Sequence, residues 1–386
     1  MKYRKFPGTD LTVSALGLGT MRLPTRPEPE NPIDEPRAIA MIREAIDKGL
    51  TYVDTAYGYH GGNSEKVVGK ALADGYRERV TLTTKLPVWL VNEYADMEKI
   101  LDEQLARLQT DHVDIYLLHS LNGASYDKIK ALGYPRFLAD MLAKGKIRHV
   151  GFSFHDDSAA FERIARDYDW NVAQIQMNVL DEFNQATLKT ATEISREKGM
   201  GLIIMEPLRG GALAANVPAD VLELYASQPV RRSPVEWAFR YLYDKPEFIT
   251  ILSGMSNREQ VLDNLAIFDQ AEPNCLTEAE KRMMTRVREI YEARVRVGCT
   301  GCEYCMPCPA GVNIPGVFRT LDRHTMFGTE RQFYQDYARM QEKGTDGGRC
   351  VRCGRCETLC PQHFHIRDLL AEIHEQYHQA GPGANC

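Results

Sequence analysis

The stretch Pro36–Ala56, reading PRAIAMIREAIDKG and then LTYVDTA, decides the fold. Ile39, Ile42, Ala45 and Ile46 recur at i, i+3, i+6 and i+7, the spacing of one helical face, and Gly49 stands where a helix ends. Tyr52–Ala56 follows as a short β-rich run. The same alternation continues outward in both directions. Strands are predicted at Ala15–Met21, Tyr52–Ala56, Val80–Leu86, Val113–His119, Ile147–Phe154, Val172–Asn178, Gly201–Leu208 and Phe248–Met255. Helices are predicted at Pro36–Gly49, Glu65–Ala73, Tyr94–Gln109, Phe137–Gly145, Ser158–Asp167, Gln185–Gly199, Pro234–Tyr243 and Asn257–Phe268. Runs such as Gly201-Leu-Ile-Ile-Met205 are apolar nearly throughout, as a strand covered on both faces requires. Eight strand–helix units in about 255 residues match a (β/α)8 TIM barrel in count and length. A doubly wound sheet would place G-x-G-x-x-G after its first strand. Gly17-Leu18-Gly19-Thr20-Met21-Arg22 lacks the third glycine. The barrel is assigned to residues 1–272.

Barrel enzymes carry their chemistry at the C-terminal ends of the strands. There the sequence places Asp54, Tyr59, Lys85 and His119, with Ser153, Gln174, Asn178 and Glu206 on later strands. Carbonyl reduction needs a proton donor beside a hydride donor. A phenol is a weak acid at neutral pH, but an ammonium beside it stabilises the phenolate, and a carboxylate holds the ammonium. Asp54, Lys85 and Tyr59 are suited to that relay, and His119 to orienting the substrate oxygen.

Composition narrows the rest. Forty-seven Lys and Arg stand against 53 Asp and Glu, for a net charge of −6, which argues against binding nucleic acid by phosphate neutralisation. No apolar run is long enough for a membrane span. The start, Met1-Lys2-Tyr3-Arg4-Lys5-Phe6-Pro7, has no apolar core of a signal peptide, so a cytoplasmic protein is expected.

All ten cysteines lie at or after Cys275, so a second module, residues 273–386, carries metal or redox chemistry. Residues 275–298 read as a helical connector. Two runs follow: Cys299-x2-Cys302-x2-Cys305-x2-Cys308-Pro309 and Cys350-x2-Cys353-x2-Cys356-x3-Cys360-Pro361. Zinc sites use two C-x2-C pairs separated by a dozen or more residues, a poor match. Triple spacing closed by Cys-Pro matches iron–sulfur ligation, in which the fourth Cys of each run ligates the other cluster in two-cluster ferredoxins. Val317–His324 and Glu330–Lys343 are predicted helical, which makes this a mostly α-helical ferredoxin-like domain. Arg349, Arg352 and Arg355 interleave the second run, either offsetting thiolate charge or as solvated surface. His363, His365, His374 and His378 are read as loop or surface residues, and Cys275 and Cys386 as spare thiols.

Residues 1–270 resemble the aldo/keto reductase superfamily. The resemblance rests on Tyr3-Arg4-Lys5, Val13–Thr20, Asp54-Thr55-Ala56 with Tyr59, Ser64-Glu65, Thr84-Lys85, Asp114–His119, Gly151-Phe152-Ser153, Pro207-Leu208 and Ser253-Gly254 with Asn264. It implies Tyr59 as proton donor, Lys85 and Asp54 as its tuners and His119 as the orienting residue. It also implies NADP(H) or NAD(H) lying across the rim. Ser153 and Gln174 match the residues that hold the carboxamide, and Met205 stands where an aromatic would stack. The implied contacts include Gly19, Thr20, Met21, Pro207, Leu208, Gly210, Gly254, Ser256, Gln260 and Asn264. Departures from the family pattern are Phe154 after the serine and the absence of the usual cations after strand 8, where Arg258 is the nearby one. A flavin on the same rim stays open as an alternative.

The second module resembles two-[4Fe–4S] ferredoxin domains. The resemblance assigns Cys299, Cys302, Cys305 and Cys360 to one cluster and Cys308, Cys350, Cys353 and Cys356 to the other. The implied function is an oxidoreductase interconverting a small-molecule carbonyl and an alcohol, with two clusters for electron transfer or regulation. The alternative is a ferredoxin-linked electron-transfer or redox-sensor protein whose barrel binds without turnover. A nicotinamide passes two electrons as hydride and a cluster accepts one, so coupling the two calls for a flavin or a redox partner protein. Substrate choice is expected from the loops Trp89–Val91, Asn122–Tyr126 and Asp181–Asn184.

Overall fold

The computed structural model describes residues 1–28 and 32–379, apart from the side chain of Glu330. Two three-residue strands, β1 (Tyr3–Lys5) and β2 (Thr12–Ser14), pair antiparallel. Eight parallel strands then close a barrel in chain order. They are β3 (Leu16–Gly19), β4 (Tyr52–Asp54), β5 (Thr81–Leu86), β6 (Val113–Leu121), β7 (Ile147–Phe154), β8 (Val172–Gln176), β9 (Gly201–Met205) and β10 (Phe248–Ser253), with β10 against β3. Every residue of β5 and β10 is buried, as expected of a sheet whose edges are joined and whose outer face is covered.

The hairpin was not legible in the sequence, because three-residue strands carry too little alternation. Its neighbours show why it forms. Phe6 and Val13 pack into one cluster with Tyr52, Ile115, Leu117, Val172, Ile203, Ile249 and Leu252. A Cβ on Gly201 would lie 2.3 Å from the Phe6 ring, so the glycine supplies the space that the ring fills.

A further helix, Gly123–Ala131, corrects the reading of Asn122–Tyr126 as a pocket loop. The Asn122 side chain accepts from the Ser125 N–H at 2.8 Å as an N-cap, and Tyr126 is buried. The polar residues at the head of this segment, expected to be loop, belong to the helix cap.

By compactness the chain falls into two units. One comprises Met1–Gly211 and Arg232–Met284; the other comprises Ala212–Arg231 and the described residues from Thr285 on. The excursion Ala212–Arg231 is a feature that a division at residue 272 does not contain. Within the second unit Arg294 donates to both carboxylate oxygens of Asp220, at 2.7 and 2.8 Å.

The second unit is built from helices Ile314–Phe327, Glu330–Glu342, Arg355–Leu359 and Ile366–Gln379. Its core includes Val317, Phe318, Leu321, Phe333, Tyr337, Leu370 and Ile373, with Cys299, Cys305, Cys308, Cys350 and Cys360 packed against it. His374 is not the plain surface residue expected. It is half-buried and its Nδ1 lies 3.1 Å from the Tyr337 hydroxyl. Among the described residues no helix is long and apolar enough to cross a membrane. Cys386 lies outside the described residues.

Candidate active site

The strand register brings the acid and the amine together. Asp54 ends β4 opposite Thr83, and Lys85 follows two residues later on β5. Both side chains are buried in the barrel, where an ion needs a partner. The Lys85 ammonium pairs with Asp54 Oδ2, donates to the Thr55 carbonyl at 2.7 Å and reaches the Tyr59 hydroxyl at 3.4 Å. Its three donors are thereby assigned. Asp54 Oδ1 is buried with no hydrogen-bond partner. His119, near the end of β6, lies edge-on to Tyr59 with ring centroids 6.1 Å apart. The half-exposed Trp89 lies 5.1 Å from His119, on the Trp89–Val91 segment expected to shape the pocket.

The electrostatics refine the relay. Burial works against the Lys85 charge, but Asp54 and Tyr59 more than offset it and hold the ammonium above its ordinary pKa. Burial pushes the Asp54 carboxyl up, and Lys85 opposes it. Burial also pushes the Tyr59 hydroxyl up; Lys85 pulls it down and Asp54 up again. The expectation that the ammonium lowers the phenol is therefore met in direction but not in net effect: burial is larger. Burial, aided by Lys85 and His155, lowers His119 to about 3, so its imidazole is neutral near pH 7. Its Nδ1 is buried and without a hydrogen-bond partner.

Sequence reading missed the layer behind Lys85. Gln104 Nε2 donates to the Lys85 carbonyl at 3.0 Å, to Glu65 Oε1 at 2.8 Å and to Thr84 Oγ1 at 3.1 Å. Its Oε1 accepts from the Tyr116 hydroxyl at 2.7 Å. Glu65 is fully buried, accepts from Thr84 at 2.7 Å and pairs with Arg107 at 3.2 Å. A signal existed. Gln104 falls on the buried stripe Met97, Ile100, Leu101, Leu105 and Leu108 of helix Tyr94–Leu108, where a polar residue calls for a partner.

The residues expected around a nicotinamide are brought to the same rim in part. Gln174 Oε1 is buried without a partner, while its Nε2 lies 3.7 Å from Met205 Sδ. Ser153 Oγ accepts from the Ser120 N–H at 2.7 Å, leaving its own proton free to donate. An open acceptor beside an open donor fits a carboxamide. The Thr20 hydroxyl is fully buried and donates to the Asp54 carbonyl at 2.9 Å, so that side chain serves the fold. Met21 is exposed, Gly19 partly so, Pro207 buried and Leu208 intermediate. Gly210 has φ of +67°, and Gly254 is exposed, with Arg22 side-chain atoms 3.2 Å from where a Cβ would be. Gln260 Oε1 accepts from the Ser256 N–H at 2.8 Å, and Asn264 Nδ2 donates to Ser253 Oγ at 2.8 Å. Arg258 is held by both carboxylate oxygens of Glu44, each at 2.7 Å.

In the second unit the eight motif cysteines divide between two recesses. One is lined by Cys308, Cys350, Cys353 and Cys356, with Cys305 also on its wall. The other is lined by Cys299, Cys302, Cys305 and Cys360. Ile314 also faces both recesses, so they share a wall. Cys308 of the first run thus stands with cysteines of the second, and Cys360 of the second run with cysteines of the first. At least four thiols gathered on the wall of one recess suit an iron–sulfur cluster. Among the described residues no three metal-binding side chains converge as a single ion would require.

Comparison with known proteins agrees with this architecture. Residues 15–279 match the aldo/keto reductase family, and residues 298–365 match a 4Fe-4S dicluster domain. The chain belongs to the aldo/keto reductase family. Among curated relatives it is 26% identical to the NADH-specific methylglyoxal reductase of Escherichia coli, over 74% of this chain and 97% of that one. It is 28% identical to L-galactose dehydrogenase of Arabidopsis thaliana, over 70% and 89%. Among solved structures, an aldo-keto reductase from Bacillus halodurans in its holo form matches with a TM-score of 0.62 and 27% identity, over 74% of this chain and 96% of that one.

Proposed function

We propose that the chain reduces a small carbonyl compound to an alcohol, and runs the reverse reaction, with a nicotinamide cofactor at the barrel rim. The carrying observation is the Lys85 ammonium held between Asp54 and the Tyr59 hydroxyl at the C-terminal end of the barrel. The nicotinamide, when bound, supplies or accepts the hydride. Ser153 and Gln174 would hold its carboxamide. Tyr59 delivers the proton to the substrate oxygen, and Lys85 stabilises the phenolate left behind. Asp54 keeps Lys85 charged and aimed. Neutral His119 hydrogen-bonds the substrate oxygen and aligns the carbonyl.

We further propose NADH as the favoured donor. By resemblance Gly254 and Gln260 stand where cations would meet a 2′-phosphate, Arg258 is the nearby cation, and Glu44 holds the Nε–Nη2 edge of its guanidinium. One relative is named for NADH specificity, which supports the same choice. A 2-oxoaldehyde or another small aldehyde is the proposed substrate class.

The two thiol-lined recesses are proposed to hold two [4Fe–4S] clusters. Such a cluster, when bound, supplies one-electron transfer. Thiols intended for ligation have to stay reduced, which supports placement in the cytoplasm. Anaerobic purification followed by iron and acid-labile sulfide analysis, with turnover of a panel of small aldehydes by NADH and NADPH, tests the reading. About eight irons per chain and NADH-dependent aldehyde loss are expected. A loaded chain that oxidises neither donor with any aldehyde would overturn the enzymatic reading.

A further inference from the structure

In the second cysteine run an arginine directly precedes each of Cys350, Cys353 and Cys356, and Arg349, Arg352 and Arg355 are all exposed. Arg355 and Arg367 line the recess formed by Cys308, Cys350, Cys353 and Cys356. Two carboxylates answer these four cations: Asp368 pairs with Arg352 at 2.6 Å, and Glu357 with Arg367 at 2.7 Å. Among the described residues Arg349 donates to the Ala310 carbonyl, at 3.4 Å, and to no carboxylate. Among the described residues Arg349 and Arg355 thus present guanidinium groups with no carboxylate partner on this exposed rim. The other recess differs in its lining, which includes Glu303, and in having Arg319 beside Gly301 as its neighbouring cation.

Offsetting thiolate charge alone does not explain the surface around those cations. Val351 is 69% exposed in the midst of them, and Cys353 is exposed beside it. An apolar residue in water contributes nothing to the core. An apolar centre rimmed by guanidinium groups is the composition of a transient protein interface, and arginine is enriched at such surfaces.

We propose that Arg349, Val351, Arg352 and Arg355 form the docking face for a small acidic one-electron carrier protein, which exchanges electrons at the recess of Cys308, Cys350, Cys353 and Cys356. This rests on the reading of that recess as a [4Fe–4S] site. One electron leaves the reduced carrier, which is oxidised by one, and enters the cluster, which is reduced by one. No covalent bond forms or breaks. The arginines steer the acidic partner to the exposed edge, so association is fast at low salt and slows as salt screens the face.

The test is stopped-flow mixing of the anaerobic, cluster-loaded full chain with a photoreduced plant-type [2Fe–2S] ferredoxin as the acidic probe. Electron paramagnetic resonance and iron content of every variant are recorded alongside. The second-order rate is expected to fall with added salt, and to fall about tenfold or more in Arg349→Gln/Arg352→Gln/Arg355→Gln. Lysine at the same three positions should retain most of the rate. Val351→Glu, which leaves the arginines in place, should also slow it by about tenfold and serves if the triple variant loses iron. A loaded variant set with the parental rate, or a rate indifferent to salt, overturns the docking face alone. A parent chain that holds no iron overturns the cluster reading and the docking face with it.

Discussion

The Tyr59 hydroxyl lies 3.4 Å from the Lys85 ammonium, which Asp54 and the Thr55 carbonyl hold from the other side. The amine thus ties the end of β4 to β5 and also reaches the Tyr59 hydroxyl. Lys85→Met would leave the Asp54 carboxylate buried without its cation. Removing one partner of such a pair costs about 3–5 kcal/mol. Urea denaturation should show a loss of that order, and Asp54→Asn in the same chain should restore part of it. Aldehyde reduction should be lost in both. A single variant as stable as the parent would contradict the pairing.

His119 makes stability fall on the acid side. Its pKa is about 3 in the folded chain against an ordinary 6.5, so the unfolded chain binds an extra proton between those values. Stability contributed by the neutral imidazole is fully present above about 6.5 and is lost as pH falls toward 3. Denaturation midpoints of His119→Asn should fall less steeply through this window than those of the parent. Identical slopes would show that His119 does not titrate as described. For the same reason kcat of the parent should show no step near pH 6.5 that disappears in this variant.

Gln104 should act on turnover without touching substrate. Gln104→Leu strands the Tyr116 hydroxyl and frees the Lys85 carbonyl. An unsatisfied buried group costs roughly 1–3 kcal/mol. The expected result is a stability loss of that size and a kcat about tenfold lower, with KM nearly unchanged. Gln104→Glu would place a second carboxylate against Glu65 and should be the more damaging of the two. A KM effect without a kcat effect would refute a positioning role.

Cofactor preference should yield to Glu44. Glu44→Gln frees Arg258, and the preference for NADH over NADPH should fall by about three- to tenfold. The ceiling is modest because the pair is on the surface and screened by solvent. Dissociation constants from fluorescence titration measure it. An unchanged ratio would place the 2′-phosphate elsewhere.

Much of the barrel was legible because its strands and helices keep distinct periods. All eight barrel strands lie within or close to the runs read from the sequence, as at Ile147–Phe154. Asp54, Lys85, Tyr59 and His119 were legible because each stands at or just beyond the end of a barrel strand. The hairpin Tyr3–Ser14 was not, since its stability lies in Phe6 and Val13 meeting strands far along the chain. Gln104 was missed because a glutamine in a helix reads as surface until its stripe is drawn. The two cysteine runs were legible from their spacing of three and the proline that closes each, whereas the sharing of thiols between two clusters came from the resemblance to two-cluster ferredoxins. The excursion Ala212–Arg231 was not, because nothing local says which unit a short helix joins.

The central claim is that Tyr59 is the proton donor. Its most direct test is anaerobic steady-state reduction of a 2-oxoaldehyde such as methylglyoxal by NADH, with the parent and Tyr59→Phe side by side and cofactor binding measured in both. Turnover by the parent, a loss of about a hundredfold or more in kcat for the variant and equal NADH affinity are predicted. Equal turnover by the two proteins would contradict the claim.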